Sequence, residues 1–286
     1  MNKYLIVNAD DYGMSLSANE AIEELFEVGY VTSTTLMTPC PWAEDAMERA
    51  KRNPKMHVGL HTTLTAEWGP YRWGPVARGS VPSLLDQDGY FYRDCQPLLA
   101  ACTVQDVETE LNAQLDYMLH RGLAPTHIDN HMGSVYGLHG KPLFEQIFAL
   151  CARGGYAFRL PRNPELSGIP PAFAATLNQV IQATDAMGIG TLDHLCTNST
   201  SFSEADGYDA LKKSYLDIIA HLPEGVSELY MHPALDSREL RRMTPRWYTR
   251  VWEYQLLKDP DLKAAIDQAG AVLTTWVEAP LKGKKG

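Results

Sequence analysis

Tyr4-Leu5-Ile6-Val7-Asn8-Ala9, followed at once by Asp10-Asp11-Tyr12-Gly13, opens the chain as an apolar strand that ends in two adjacent acids. The apolar run is too short for a signal-peptide core and passes straight into polar residues. Neighbours on a strand point to opposite faces. Two successive acids at a strand end are therefore suited to different jobs, one as a metal ligand and one as a base facing a substrate.

Working outward, apolar runs with strand character alternate with helical spacing along the whole chain. Asn19 to Val28 fits a helix with Ala21, Ile22, Leu25 and Phe26 inward and Gly29 as its stop. Ser33 to Met37 is a strand, Trp42 to Ala50 a helix and Met56 to His61 a strand. Thr103 to Arg121 is the clearest helix: Val104, Val107, Leu111, Leu115 and Met118 recur at helical spacing, Thr103 caps it and Gly122 ends it. Strands at 125–129, 156–160, 191–196 and 227–232 alternate with helices at 141–153, 172–187, 204–222 and 246–268, the last broken near Pro260. Ala271 to Thr275 is an eighth strand candidate.

Eight such strands predict a parallel sheet in a single domain spanning 1–286, closed into a (β/α) barrel that is distorted or short of one strand; an open doubly wound sheet is the alternative. Residues 66–100 break the rhythm. Trp68, Gly69, Pro70, Tyr71, Trp73, Gly74 and Pro75 mark a long loop insertion, expected as a lid or rim on the barrel face.

In a barrel the strand ends converge on one face, and four histidines lie at or near the ends of later strands: His61, His127, His131 and His232. His127, Asp129 and His131 alternate, so one strand face presents all three. Arg159 closes the fifth strand, where it is placed to hold a carboxylate ionised, and His232 ends an apolar strand as a general-acid candidate. Each has a bland counterpart: a helix-capping Asp, a core histidine, a surface ion pair. A core histidine accounts for one of the four, not for the set together with the acids. The combination points to a metal-dependent hydrolase; a carboxylate-imidazole site accepts several divalent ions, zinc and magnesium among them, and availability decides which.

Bulk properties narrow the partners. A net charge of −10 leaves no basic footprint for nucleic acid, and no run of about 18 apolar residues predicts a membrane span. Cys40, Cys95, Cys102, Cys151 and Cys196 are scattered without metal-type spacing, as in a reduced cytoplasmic protein. A homodimer is the default expectation on base rates.

The motifs Val7-Asn8-Ala9-Asp10-Asp11-Tyr12-Gly13, Val31-Thr32-Ser33-Thr34-Thr35, Gly59-Leu60-His61-Thr62-Thr63-Leu64-Thr65, Pro125-Thr126-His127-Ile128-Asp129-Asn130-His131 and Met231-His232-Pro233 resemble those of the YdjC/ChbG-type carbohydrate deacetylases over nearly the whole chain. That family removes N-acetyl groups from sugars with a divalent metal in a barrel-like fold, similar in logic to the NodB-type polysaccharide deacetylases. The resemblance implies Asp10 as general base, Asp11, His61 and His131 as metal ligands, His232 as general acid, and Arg159-Leu160-Pro161 as the motif that orients the base. It implies His127 as a near neighbour and the reserve ligand in place of His131, with Asp129 beside them. It also implies an acetylated, chitooligosaccharide-like substrate.

The chain departs from the family after the Asp-x-His segment, where a histidine-rich run is often found and this sequence has His131-Met132-Gly133-Ser134-Val135-Tyr136-Gly137. The departure bears on substrate identity more than on the metal. Trp42, Trp68, Tyr71, Trp73 and Tyr136 are candidates for stacking on a sugar ring. The competing functions are another barrel metalloenzyme, a sugar isomerase or phosphoesterase, and a catalytically dead sugar-binding protein.

Overall fold

The computed structural model describes residues 2–167, 169–170 and 173–284. Its elements run β1 (Lys3–Tyr12), α1 (Leu16–Val28), β2 (Ser33–Leu36), α2 (Ala43–Arg52), β3 (Val58–Thr62), α3 (Cys95–Ala101), α4 (Val104–His120), β4 (His127–Asn130) and α5 (Phe144–Ala152). They continue through β5 (Ala157–Phe158), β6 (Pro161–Asn163), α6 (Ala174–Met187), β7 (Leu192–Cys196), α7 (Gly207–Ala220), β8 (Gly225–Met231), α8 (Arg238–Met243), α9 (Trp247–Leu256), α10 (Pro260–Gln268) and β9 (Ala271–Leu273).

Most expected elements are present, with shifted ends. Helix α1 starts three residues early because the Ser15 side chain accepts the Ala18 N–H, an N-cap ahead of Asn19. Thr103 caps α4 through Asp106 N–H, and Pro260 opens α10 behind the Asp259 cap. Ala172, the expected start of α6, lies outside the described residues. The short helices α3 and α8 were not anticipated.

All strand pairings are parallel, in the order β5-β4-β3-β2-β1-β8-β7-β6. β5 pairs with β4 and β6 with β7, yet only Arg159 and Leu160 separate them. Arg159 N–H donates to Ile128 C=O (2.9 Å) and Leu160 C=O accepts from Leu192 N–H (3.2 Å), so one short stretch joins both ends of the path. The sheet is thereby curled into a barrel-like wall, with Arg159 at the seam. The expected eighth strand, β9, is not a stave of this wall. It pairs with the first residues of β1, Lys3–Leu5, off the main path.

On β1 the residues Ile6, Asn8 and Asp10 share one face. Ile6 packs with Leu192, Val226 and Trp276 in a small apolar cluster, while the large core lies between the sheet and the helices. Each fully buried aliphatic side chain contributes about 1.5–3 kcal/mol. The layer above the small cluster is charged, and buried charge is unfavourable unless paired. Stability therefore resides in the apolar layers, and the charged layer is available for chemistry.

The insertion is a pinned rim rather than a free lid. Glu110 of α4 accepts the N–H groups of Val76 (3.0 Å) and Ala77 (2.9 Å), Asp106 accepts that of Ser83 (2.9 Å), and Trp73 Nε1 donates to Thr65 C=O (2.8 Å). Among the described residues no helix is long and apolar enough to cross a membrane.

Candidate metal centre and catalytic cleft

The two acids that end β1 do not alternate as a regular strand would make them. Ala9 pairs with Thr34 and Tyr12 with Leu36, so three steps of β1 run against two of β2: a bulge. Within it Asp11 has φ +67°, the left-handed region that Asp tolerates better than most residues. The extra residue turns both carboxylates into one cleft of about 440 Å³, which Asp10 and Asp11 line together. Met132, beside His131, is the other non-glycine residue with positive φ among the described residues (+55°). Strained backbone thus sits at two of the prospective ligands, as is common at functional sites.

Asp11, His61 and His131 each offer one ligand atom, and the three atoms lie within 4.8 Å of one another. Asp11 Oδ1 is 3.5 Å from His61 Nε2 and 3.4 Å from His131 Nδ1, is buried, and has no hydrogen-bond partner among the described residues. The other nitrogen of each ring is anchored by an acid: His61 Nδ1 to Asp129 Oδ1 at 2.6 Å, and His131 Nε2 to Glu67 Oε2 at 2.9 Å. A carboxylate behind each imidazole is the arrangement that orients metal-binding histidines. Burial pushes both rings toward neutrality, but Asp129 and Asp11 outweigh it and raise His61 to about 9. Glu67 and Asp11 likewise raise His131 to about 10. Attraction for a proton here is attraction for a cation of any kind. The orphaned oxygen, the two aimed nitrogens and their carboxylate backing fit one divalent ion.

Burial disfavours the Asp11 carboxylate, yet the Arg250 guanidinium (Nη2 to Oδ2, 2.7 Å) and the two histidines hold it well below the usual range. A second acid group, Asp10, His61 and Asp129, is equally compact, but it already contains a cation. Arg159 Nη1 lies 2.7 Å from Asp10 Oδ2 and 2.8 Å from Asp129 Oδ2.

Arg159 also donates from Nη2 to Asp10 Oδ1 (2.8 Å) and from Nε to Glu228 Oε2 (2.9 Å), so one buried arginine serves three carboxylates. Burial works against Asp10, and Arg159 overcomes it, bringing the acid down to about 2. Burial dominates at Glu228, which is raised to about 7 despite the same arginine. Asn8 Nδ2 adds a bond to Asp10 Oδ1 (2.7 Å). With two donors on Oδ1 and one on Oδ2, the remaining lone pair of Asp10 is on Oδ2.

His232 lines the same cleft, its side chain about one-third exposed and edge-on to Tyr230. Its backbone N–H donates to Glu253 Oε2 (2.7 Å), and Glu253 Oε1 accepts from Tyr215 OH (2.6 Å). Trp68 and Tyr136 also line the cleft, and the Tyr136 hydroxyl donates to Arg159 C=O.

Other expected site residues are seated elsewhere. Whereas His131 stands beyond the end of β4, in the turn that follows Asn130, so that the three do not share one strand face as expected, His127 does share that face with Asp129 but not the cleft. Its ring stacks on Trp276 (4.4 Å) in the core, against Gly59, where a Cβ would come within 2.5 Å of the ring. It does not line the cleft or join the ligand group, which argues against it as the reserve ligand. Tyr71 and Trp73 do not line the cleft; Trp73 is buried with its edge toward His131. Trp42 donates to Glu239 (3.3 Å) away from it.

Sequence reading missed Glu67, Glu228, Arg250 and Glu253. Glu228 was legible in principle, as a lone acid within the apolar run Val226-Ser227-Glu228-Leu229-Tyr230-Met231 on the same face as Tyr230 and His232. Arg250 and Glu253 are one helical turn apart and so share a face of α9. Glu67, in an irregular loop, left no periodic signal.

The profile of the YdjC-like protein family matches residues 4–268. A carbohydrate deacetylase of Geobacillus stearothermophilus is 33% identical over 279 residues, covering 97% of this chain and 98% of that protein. One of Thermus thermophilus is 30% identical, covering 92% of this chain and 89% of that protein. A crystal structure from Enterococcus faecalis V583, described as a cellobiose-phosphate cleavage protein, superposes with a TM-score of 0.78 at 27% identity, covering 96% of this chain and 98% of the other. With the family profile spanning nearly its whole length, the chain belongs to the YdjC-like protein family.

Proposed function

We propose that this protein hydrolyses the N-acetyl group of an acetylated amino sugar or short chitooligosaccharide-like substrate, releasing acetate and the free amine. Asp11, His61 and His131 would hold one divalent ion, zinc or magnesium. The observation that carries the reading is the buried, unpartnered Asp11 Oδ1 between two carboxylate-backed imidazoles, with Asp10 alongside. The carbohydrate deacetylases among its relatives support the substrate class. We place the protein in the cytoplasm as one domain, with a homodimer as the default assembly.

When bound, the ion supplies Lewis acidity to the amide carbonyl and makes water a better acid. The chain's own groups do the rest. Asp10, kept ionised by Arg159 at every working pH, takes the proton of the attacking water on Oδ2. Its low basicity is offset by position: Arg159 and Asn8 leave it a single free lone pair, already in the cleft. His232 gives a proton to the amine as the C–N bond breaks. Its ring, about one-third exposed, can take up a proton from solvent, and Glu253 fixes the backbone that carries it. Trp68 and Tyr136 offer flat apolar walls to a sugar ring.

The test is acetate release from N-acetylglucosamine and short chitin oligomers by chelator-treated protein, before and after zinc or magnesium is restored. Metal-dependent acetate is the expected result. Phosphate released from sugar phosphates, or isomerised sugar with no acetate, would replace the deacetylase reading with one of its competitors.

A further inference from the structure

Helix α9 reaches the cleft from the far end of the chain and places Arg250 against Asp11, 239 residues away in sequence. Arg250 is 8% exposed. Its Nη2 donates to Asp11 Oδ2 at 2.7 Å, while Nη1 is buried with no partner among the described residues. The guanidinium carbon lies 5.6 Å from the centre of the Trp68 ring, and both residues line the cleft beside His232. Trp68 Nε1 is likewise buried without a partner among the described residues. A buried donor left unpaired is unfavourable, so two of them on one cleft mark where a ligand supplies acceptor oxygens. If Arg250 served only as a counter-charge for Asp11, the compact cation of a lysine would do as well; the planar fork with one arm unused is what distinguishes this residue.

We propose that Arg250 is a positioning residue with a second, substrate-facing role. Nη2 holds Asp11 Oδ2, so that Oδ1 turns to the two histidines, and Nη1 donates to an acceptor oxygen of the bound sugar, carbonyl or hydroxyl. The substrate half rests on the deacetylase reading; the positioning half does not.

Two variants test it, with zinc affinity measured by competition with a chromophoric chelator and kinetics on an N-acetylated sugar that the wild-type protein turns over. Arg250→Ala should weaken zinc by about 10–100-fold, the usual effect of losing a group that orients a ligand. Free guanidinium should restore part of it, which a merely structural loss would not allow. Arg250→Lys keeps a charge for Asp11, so it should fold and bind zinc more tightly than Arg250→Ala. It has no second arm, and its KM should rise about tenfold. Unchanged zinc affinity in Arg250→Ala overturns the positioning half, and unchanged KM in Arg250→Lys overturns the substrate half. If Arg250→Ala does not fold, Arg250→Met, which keeps most of the side-chain volume without the charge or the donors, replaces it in the zinc titration: weakened zinc supports the positioning half and unchanged zinc overturns it. If the wild-type protein releases no acetate from any sugar, the deacetylase reading fails while the zinc measurement still decides the role at Asp11.

Discussion

The two histidines of the ligand group are supported by different parts of the molecule. His61 is backed by Asp129, its direct register partner on the adjacent strand β4, so the backbone ladder itself sets their contact. His131 is backed by Glu67, which hangs from the rim insertion; that loop is clamped by Glu110 and Asp106 of α4 and, next to Glu67, by Ala66 N–H to Tyr92 C=O (2.9 Å) and Trp73 Nε1 to Thr65 C=O (2.8 Å). Asp11 is of the second kind, steadied by Arg250 from α9. The strand ends thus carry the groups expected to do the chemistry, and the rim (Glu67) and α9 (Arg250, Glu253) carry much of what aims them. A ladder-set contact has little freedom to relax, whereas a loop-set one can yield and be partly replaced.

The largest test of this division removes a ligand. Asp11→Ala or His61→Ala should lose the metal and the activity together, with kcat/KM down roughly 10³-fold or more, given the several kcal/mol a metal supplies. Metal analysis beside acetate release checks it, and an active variant without metal would break the ligand assignment. Next is Asp10→Asn. It should keep the metal and lower kcat by about 10²–10⁴-fold, the range for a general base. A rate near that of the wild-type protein would mean that Asp10 is not the base.

The comparison itself is sharpened by the backing acids. Both Asp129→Asn and Glu67→Gln should weaken zinc within about 10–100-fold. Asp129→Asn should be the worse, because Asp129 also faces Arg159 (2.8 Å) and the adjacent strand cannot adjust. Equal losses in a zinc titration would erase the distinction between ladder and rim.

The smallest effect is on stability. His61 and His131 are raised to about 9 and about 10 from an ordinary 6.5. A group with a raised folded pKa contributes stability that is full below its unfolded value and lost as pH rises through the folded one. The unfolding temperature of chelator-treated protein should therefore fall between pH 7 and pH 10. The decline should be shallower in Glu67→Gln, which removes part of the pull on His131. An equal decline in both proteins would separate the effect from the rim.

Much of the fold was legible because parallel strands buried on both sides appear as short apolar runs, and because caps such as Thr103 and breaks such as Pro260 act within a few residues. The closure was not legible. Nothing in Phe158-Arg159-Leu160-Pro161 says that two residues join opposite ends of the sheet, since that depends on β4 and β7, more than 20 residues away on either side. Alternation put His127 and Asp129 correctly on one face, but periodicity carries no depth, and depth put His127 against Trp276 in the core.

By itself the sequence determined the alternating architecture and which ionisable side chains stand at strand ends, because both follow from local periodicity and the convergence of parallel strands. Only the tertiary structure decided that both acids of Asp10-Asp11 face one cleft, because a bulge against β2 and a positive φ override alternation. It alone supplied Glu67, Arg250 and Glu253 as supports. A side chain's electrostatic partner is set by distance in space, and these partners come from a loop and a helix whose own sequences carry no mark of what they meet.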